Sequence, residues 1–154
     1  MNVPSYSFEE INPRVIFTFE SVGDKNTIQK FIVYDLIKPD DMTYNLALLD
    51  IDKDGNFSDL SISNNGDMES VLSTVANTID VFLKKYPKAK ILFKGSSPSR
   101  IRLYRMAISK YIVHFEQKFI TLGYLTESAD EVPELFVKNQ PYLAFLIILK
   151  PQSK

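Results

Sequence analysis

Residues 91–108, Ile-Leu-Phe-Lys-Gly-Ser-Ser-Pro-Ser-Arg-Ile-Arg-Leu-Tyr-Arg-Met-Ala-Ile, constrain the fold more than any other stretch of the chain. The apolar run before Gly95 is short and bounded by turn residues, so it reads as a buried strand. Ser97 stands where a helix N-cap is wanted. Pro98 takes the first helical position, where its missing N–H costs nothing. The helix that follows would bury Ile101, Tyr104, Ile108, Ile112 and Phe115 on one face. A strand, a tight Gly-Ser-Ser turn and a helix therefore follow one another directly.

Upstream, Ser5 to Glu9 suits an edge strand. Arg14 to Val22 is rich in β-branched and aromatic residues, with Phe17 and Phe19 sharing a face at period two. Gly23-Asp-Lys-Asn26 marks a turn, and Thr27 to Ile37 follows as a second strand. Its alternation is imperfect, because Lys30 falls on the same side as Ile28, Ile32 and Tyr34. Pro39-Asp-Asp41 breaks the chain before a third strand, Tyr44 to Ile51. Asp67 suits an N-cap, and Glu69 lies in the first turn, where the helix dipole favours a carboxylate. Val71, Leu72, Val75, Ile79, Phe82 and Leu83 then recur at helical period, with Ala76 and Val81 widening the stripe. Lys84 and Lys85 complement the last turn and Pro87 stops it.

Downstream of the opening stretch, Phe119 to Leu125 reads as a strand broken by Gly123. Thr126 to Pro141 reads as an acidic surface loop with a short helical turn. Tyr142 to Leu149 is apolar without alternation, as expected of a closing strand buried on both faces. The predicted class is α+β: a three-stranded antiparallel meander followed by helix, strand, helix, strand, a ribonuclease-H-like order. The alternative is an antiparallel sheet wrapped around one or two helices. No linker or repeat divides the chain, so a single domain over 1–154 is expected.

The chain has 154 residues, no cysteine and a formal net charge of −1. Disulfides, thiolate metal sites and a cysteine nucleophile are excluded, and the composition suits a reducing cytoplasm. The first residues, Met1-Asn-Val-Pro-Ser-Tyr, carry neither a basic region nor an apolar run, so no signal peptide is expected. The apolar run ending at Leu149 is too short to span a bilayer, so no membrane partner is expected. The charge is unevenly spread. From Asp35 to Asp67 eight aspartates face two lysines, while from Lys84 to Lys118 seven lysines and three arginines face Glu116 alone. The two blocks either offset one another or leave a basic face for an anionic partner.

Three constellations invite a chemical reading. Glu20 and Glu69 occupy places where a ribonuclease-H-type site would hold carboxylates for metal-dependent phosphodiester hydrolysis. The acid expected after the fourth strand is replaced by Lys94-Gly-Ser-Ser97, which holds no divalent cation. Asp50-Ile-Asp-Lys-Asp-Gly-Asn56 has the spacing of a calcium loop, yet Ser61 stands where the bidentate glutamate is needed, and a hairpin turn at Asp54-Gly55 explains the same residues. No metal site and no cofactor is therefore called. His114 has no nucleophile and third group with which to form a triad, so no catalytic residue is called and the reading is of a non-catalytic or weakly catalytic chain. Tyr104, Tyr111, Tyr124 and Tyr142 are assigned to the core.

The third constellation carries the functional expectation. A turn at a helix N-terminus offers free N–H groups and hydroxyl donors to an anion, and Ser96, Ser97, Arg100, Arg102 and Arg105 form the candidate anion-binding set. The spacing is not that of a P-loop. Arginines in the first turns oppose the helix dipole, so each calls for a negative partner, either an internal aspartate or a bound anion. At about 100° per residue Arg102 and Arg105 share a face and Arg100 points elsewhere.

Several segments together, Tyr44-Asn-Leu, Ser63-Asn-Asn-Gly-Asp67, Val71-Leu-Ser-Thr-Val-Ala76, Gly95-Ser-Ser-Pro-Ser-Arg-Ile-Arg-Leu-Tyr-Arg-Met106 and Tyr142-Leu-Ala-Phe145, resemble a family of small uncharacterised proteins from Bacteroidota. The resemblance spans nearly the whole chain. It implies a bacterial cytoplasmic protein and transfers no catalytic residue. The expected function is a binding module for a nucleic acid or a phosphorylated ligand. The alternatives are a protein-interaction subunit, as a homodimer or the partner of a toxin, and a metal-dependent nuclease.

Overall fold

A computed structural model describes residues 5–6, 9–10, 15–22, 27–51, 57–58, 68–95 and 97–151. Its elements, in chain order, are β1 (Glu9–Glu10), β2 (Val15–Val22), β3 (Thr27–Lys38), β4 (Thr43–Ile51), β5 (Phe57–Ser58), α1 (Met68–Lys85), β6 (Lys90–Lys94), α2 (Pro98–Lys118), β7 (Phe119–Tyr124), β8 (Glu134–Leu135) and β9 (Ala144–Leu149). The class is α+β, with the three-stranded meander at the start and helix, strand, helix, strand after it. The chain forms two compact units, Met1–Asp35 with Leu46–Lys85 and Leu36–Asn45 with Tyr86–Lys154.

In the first unit β1 pairs with β2, and β2 pairs antiparallel with β3 in a register that sets Phe17 opposite Ile32 and Phe19 opposite Lys30. Val15, Phe17, Phe19 and Ser21 point inward, as period two requires of a half-buried strand. On β3 the inward set is Lys30, Ile32 and Tyr34, and on β4 it includes Leu46, Leu48 and Asp50. The lysine that spoils the alternation of β3 is thus a core residue, and its Nζ lies 2.7 Å from Asp50 Oδ1. α1 buries Val71, Val75, Ala76, Ile79, Phe82 and Leu83. Val81 does not widen that stripe; it is 41% exposed. Tyr34 stacks on Phe82 with ring centroids 4.2 Å apart and shares a 2.9 Å hydrogen bond with Thr78. Burial raises the Tyr34 hydroxyl far above the ordinary tyrosine value, and the Thr78 bond offsets only part of that rise.

In the second unit the strand order runs β6, β9, β7, β8. β9 pairs antiparallel with β6 on one side and with β7 on the other, so both of its edges are taken. Its residues Phe145, Leu146 and Ile147 are buried in succession, which is why the run lacks alternation. A final strand free to pair across chains is therefore not what the fold provides. The strand β7 is also not broken at Gly123, which keeps its place in the ladder opposite Phe145. A Cβ there would stand 2.3 Å from Tyr142 Cδ1, so the glycine makes room for a fully buried ring. Within residues 126–141 the regular element is the two-residue β8, in place of the expected helical turn.

Candidate functional site

The start of α2 follows from local chemistry. Ser97 has extended dihedrals, and its Oγ accepts a 3.3 Å bond from the Arg100 amide, while its carbonyl accepts from the Ile101 amide at 3.0 Å. Pro98 begins the helix, as its sequence position predicts. Gly95 lies so close to this turn that a Cβ would sit 2.5 Å from the Ile101 nitrogen. Real side chains essentially never approach backbone so closely, and only glycine lets β6 run this tightly into α2. No acidic residue occupies the first turn.

Of the five residues singled out in the sequence, the four described ones have different surroundings. Ser96 lies outside the described residues, and Ser97 is committed to capping through one lone pair of its hydroxyl. Arg100 is only 5% exposed and packs on the same side of α2 as Ile101 and Tyr104. Arg102 is exposed and Arg105 half-buried. Arg105 donates a long 3.5 Å contact to the Tyr142 carbonyl. Among the described residues no carboxylate pairs with any of the three guanidinium groups. Asp50, a conceivable partner from the acidic block, is engaged by Lys30.

Arg102 and Arg105 meet in an open groove of about 600 Å³. One wall is a stripe of α2 at helical spacing: Arg102, Arg105, Met106, Ser109 and Lys110. The other is the chain at Phe136, Asn139, Gln140 and Pro141. Among the described residues no acid lines it, and the charged side chains that do are Arg102, Arg105 and Lys110. Lys110 Nζ also lies 5.5 Å from the Tyr111 ring centroid.

Tyr142 fixes the second wall. Its hydroxyl donates to Glu134 Oε2 at 2.8 Å and accepts from the Val137 amide at 3.0 Å, while its amide donates to the Gln140 carbonyl at 2.9 Å. Burial, and then the bond to Glu134, raise this hydroxyl above the ordinary tyrosine value, so it serves as a neutral donor. The Phe136 amide donates to the Thr121 carbonyl at 3.0 Å, and its ring packs 5.5 Å from that of Tyr142. Asn139 turns the wall with a left-handed φ of 70°, which asparagine tolerates better than most residues.

The sequence profile of DUF6934, a family of unknown function, matches residues 2–150. The chain belongs to this family. No curated protein and no solved structure matches it significantly.

No cluster of three or more His, Cys, Asp or Glu side chains that could hold a metal occurs among the described residues. Glu20 is exposed at its strand end, and the Glu69 side chain lies outside the described residues. Of the calcium-like run, Asp50 is buried against Lys30, and residues 52–56 and Ser61 lie outside the described residues. His114 is exposed. Tyr104, Tyr111 and Tyr142 are buried, and Tyr124 is half-buried.

Sequence reasoning missed Ser109 and Lys110, although extending the Arg102–Arg105 face by helical period would have reached both. It also missed the whole second wall. Nothing local distinguishes Phe136 or Gln140 as groove residues. Only the pairing of β7 with β8 and the anchoring of Tyr142 bring them opposite α2.

Proposed function

We propose that this DUF6934 protein is a non-catalytic binding module that holds an anionic ligand, a nucleic acid or a phosphorylated molecule, in the α2 groove. The observation that carries this reading is the position of Arg102 and Arg105 on one wall, with no carboxylate paired to them among the described residues. Like charges three residues apart on a helix repel by about 0.2–0.5 kcal/mol, and an anion bound between Arg102 and Arg105 would offset that cost. Arginine matches phosphate oxygens in a bidentate fork, which makes the pair better suited to phosphate than lysines would be. The absence of cysteine from the sequence accords with a reducing, cytoplasmic setting.

The test is a fluorescence titration of labelled oligonucleotides and phosphorylated small molecules at low salt. Salt-dependent binding that is lost in the Arg102→Ala/Arg105→Ala double variant supports the reading. Binding indifferent to both substitutions would falsify it.

A second reading, a protein-interaction subunit, draws on a different observation. Val132, Leu135 and Val137, in and around β8, are 84%, 66% and 52% exposed. Adjacent exposed apolar side chains are a common mark of an interface. A concentration-independent monomer mass in light scattering would count against the homodimer form of this reading.

A further inference from the structure

Resting on the anion-binding reading above, we propose that the α2 groove takes a single-stranded nucleic acid, with successive phosphates along Arg102, Arg105 and Lys110 and a base against Phe136 and Pro141. The axial spacing of the cations selects the ligand class. At 1.5 Å of rise per residue, Arg105 stands about 4.5 Å and Lys110 about 12 Å along the helix from Arg102. One phosphate leaves at least one of these cations unused, whereas a phosphodiester chain lying along the helix engages each in turn. The groove is open and its cations are spread over about 12 Å of helix rise, which suits a strand passing through more than an enclosed monophosphate.

The facing wall selects the strandedness. Phe136 and Pro141 give it apolar surface, and Gln140 adds an amide with both donor and acceptor capacity. Cationic tracks beside aromatic platforms are how single strands are held without sequence preference. A duplex keeps its base faces stacked inside, so it could offer this wall only sugar and phosphate. A single strand can turn a base toward it.

The experiment is fluorescence anisotropy on the full chain, using end-labelled oligothymidines of roughly 4 to 16 nucleotides, a matched duplex, thymidine monophosphate and inorganic phosphate. The expected result is binding that tightens from monophosphate to oligomer and prefers the single strand to the duplex. With about three phosphates engaged, affinity should fall about 20-fold between about 50 and about 200 mM salt. Arg102→Ala and Lys110→Ala remove exposed side chains, so folding is not at stake, and each should flatten the logarithmic salt slope by about 0.7. Lys88→Ala, also exposed and outside the groove, should leave the slope unchanged. Equal affinity for phosphate, monophosphate and oligomer would overturn the single-strand inference while leaving an anion site in place. Duplex binding as tight as single-strand binding would do the same. No salt-dependent binding of any probe would overturn both.

Discussion

Lys30 Nζ lies 2.7 Å from Asp50 Oδ1, with the two side chains 2% and 11% exposed. An ion pair this deep gains from its short contact but must offset the dehydration of both charges, so its net contribution is small. Removing one partner is different, because the other is left charged and unpaired. Lys30→Met alone or Asp50→Leu alone should therefore cost about 3–5 kcal/mol in chemical denaturation. The Lys30→Met/Asp50→Leu double variant should recover most of that loss. Additive losses in the double variant would show that the pair does not act as a unit.

The same pair shows where the sequence was legible and where it was not. Strand boundaries in the meander were readable because Phe17 and Phe19 alternate with Thr18 and Glu20, and because Gly23-Asp-Lys-Asn26 and Pro39-Asp-Asp41 punctuate the apolar runs. Lys30 read as a blemish on its strand, and Asp50 read as the first position of a calcium loop. Each charge makes sense only beside the other, and nothing in a linear sequence brings two residues twenty positions apart into one core. Likewise the face shared by Arg102 and Arg105 follows from helical geometry, whereas the wall opposite it depends on strand pairing made elsewhere. Gly123 misled for a related reason: it signals a break in an isolated strand and a close approach in a packed one.

Gly123 and Tyr142 give the next expectation. A Cβ at position 123 would meet three ring carbons of Tyr142, all within 2.7 Å. The ring is buried, and its hydroxyl is tied to Glu134 and Val137, so it cannot swing aside freely. Gly123→Ala should lower stability by about 1–3 kcal/mol, the usual cost of overpacking a core. A thermal melt checks this, and an unchanged midpoint would mean that the ring relaxes without penalty. Since Tyr142 also anchors the groove's second wall, Gly123→Ala should weaken ligand binding more than Lys88→Ala does.

The loop after β7 is organised by one carboxylate. Glu131 accepts from the Thr126 hydroxyl at 2.6 Å and from the Leu125 and Thr126 amides at 2.7 Å each. The Thr126 hydroxyl bond, followed by the Leu125 amide, holds this carboxyl below the ordinary glutamate value. Because the folded value lies below the unfolded one, the associated stabilisation is present above the unfolded value and is lost as pH falls through the folded one. The loop should therefore loosen only under acid conditions, below the ordinary glutamate range. Amide shifts of Leu125 and Thr126 followed by NMR should report a midpoint below that of a free glutamate. Thr126→Val should move the midpoint upward, and a midpoint at the ordinary value in the unmodified chain would contradict the assignment.

Arg100 separates the structural from the ligand-binding arginines. It is 5% exposed, its amide is used by the Ser97 cap, and no carboxylate among the described residues meets its guanidinium. Its aliphatic stem can pack beside Ile101 and Tyr104, while its guanidinium nitrogens, which are not among the fully buried atoms without a partner, keep an edge in water. A largely covered cation without a counter-charge gains little for the fold, unlike Arg102 and Arg105, whose side chains line the groove. Arg100→Met keeps the stem and removes the charge, so it should leave the fold as stable as before or raise its stability by up to about 1 kcal/mol. It should leave the salt slope of oligonucleotide binding unchanged, because Arg100 is not a groove residue. Loss of stability would show that the buried guanidinium is held by a favourable contact. Loss of salt dependence would place Arg100 in the anion site together with the other two arginines. Denaturation and binding measured on this one variant thus decide between a packed arginine and a ligand-bearing one.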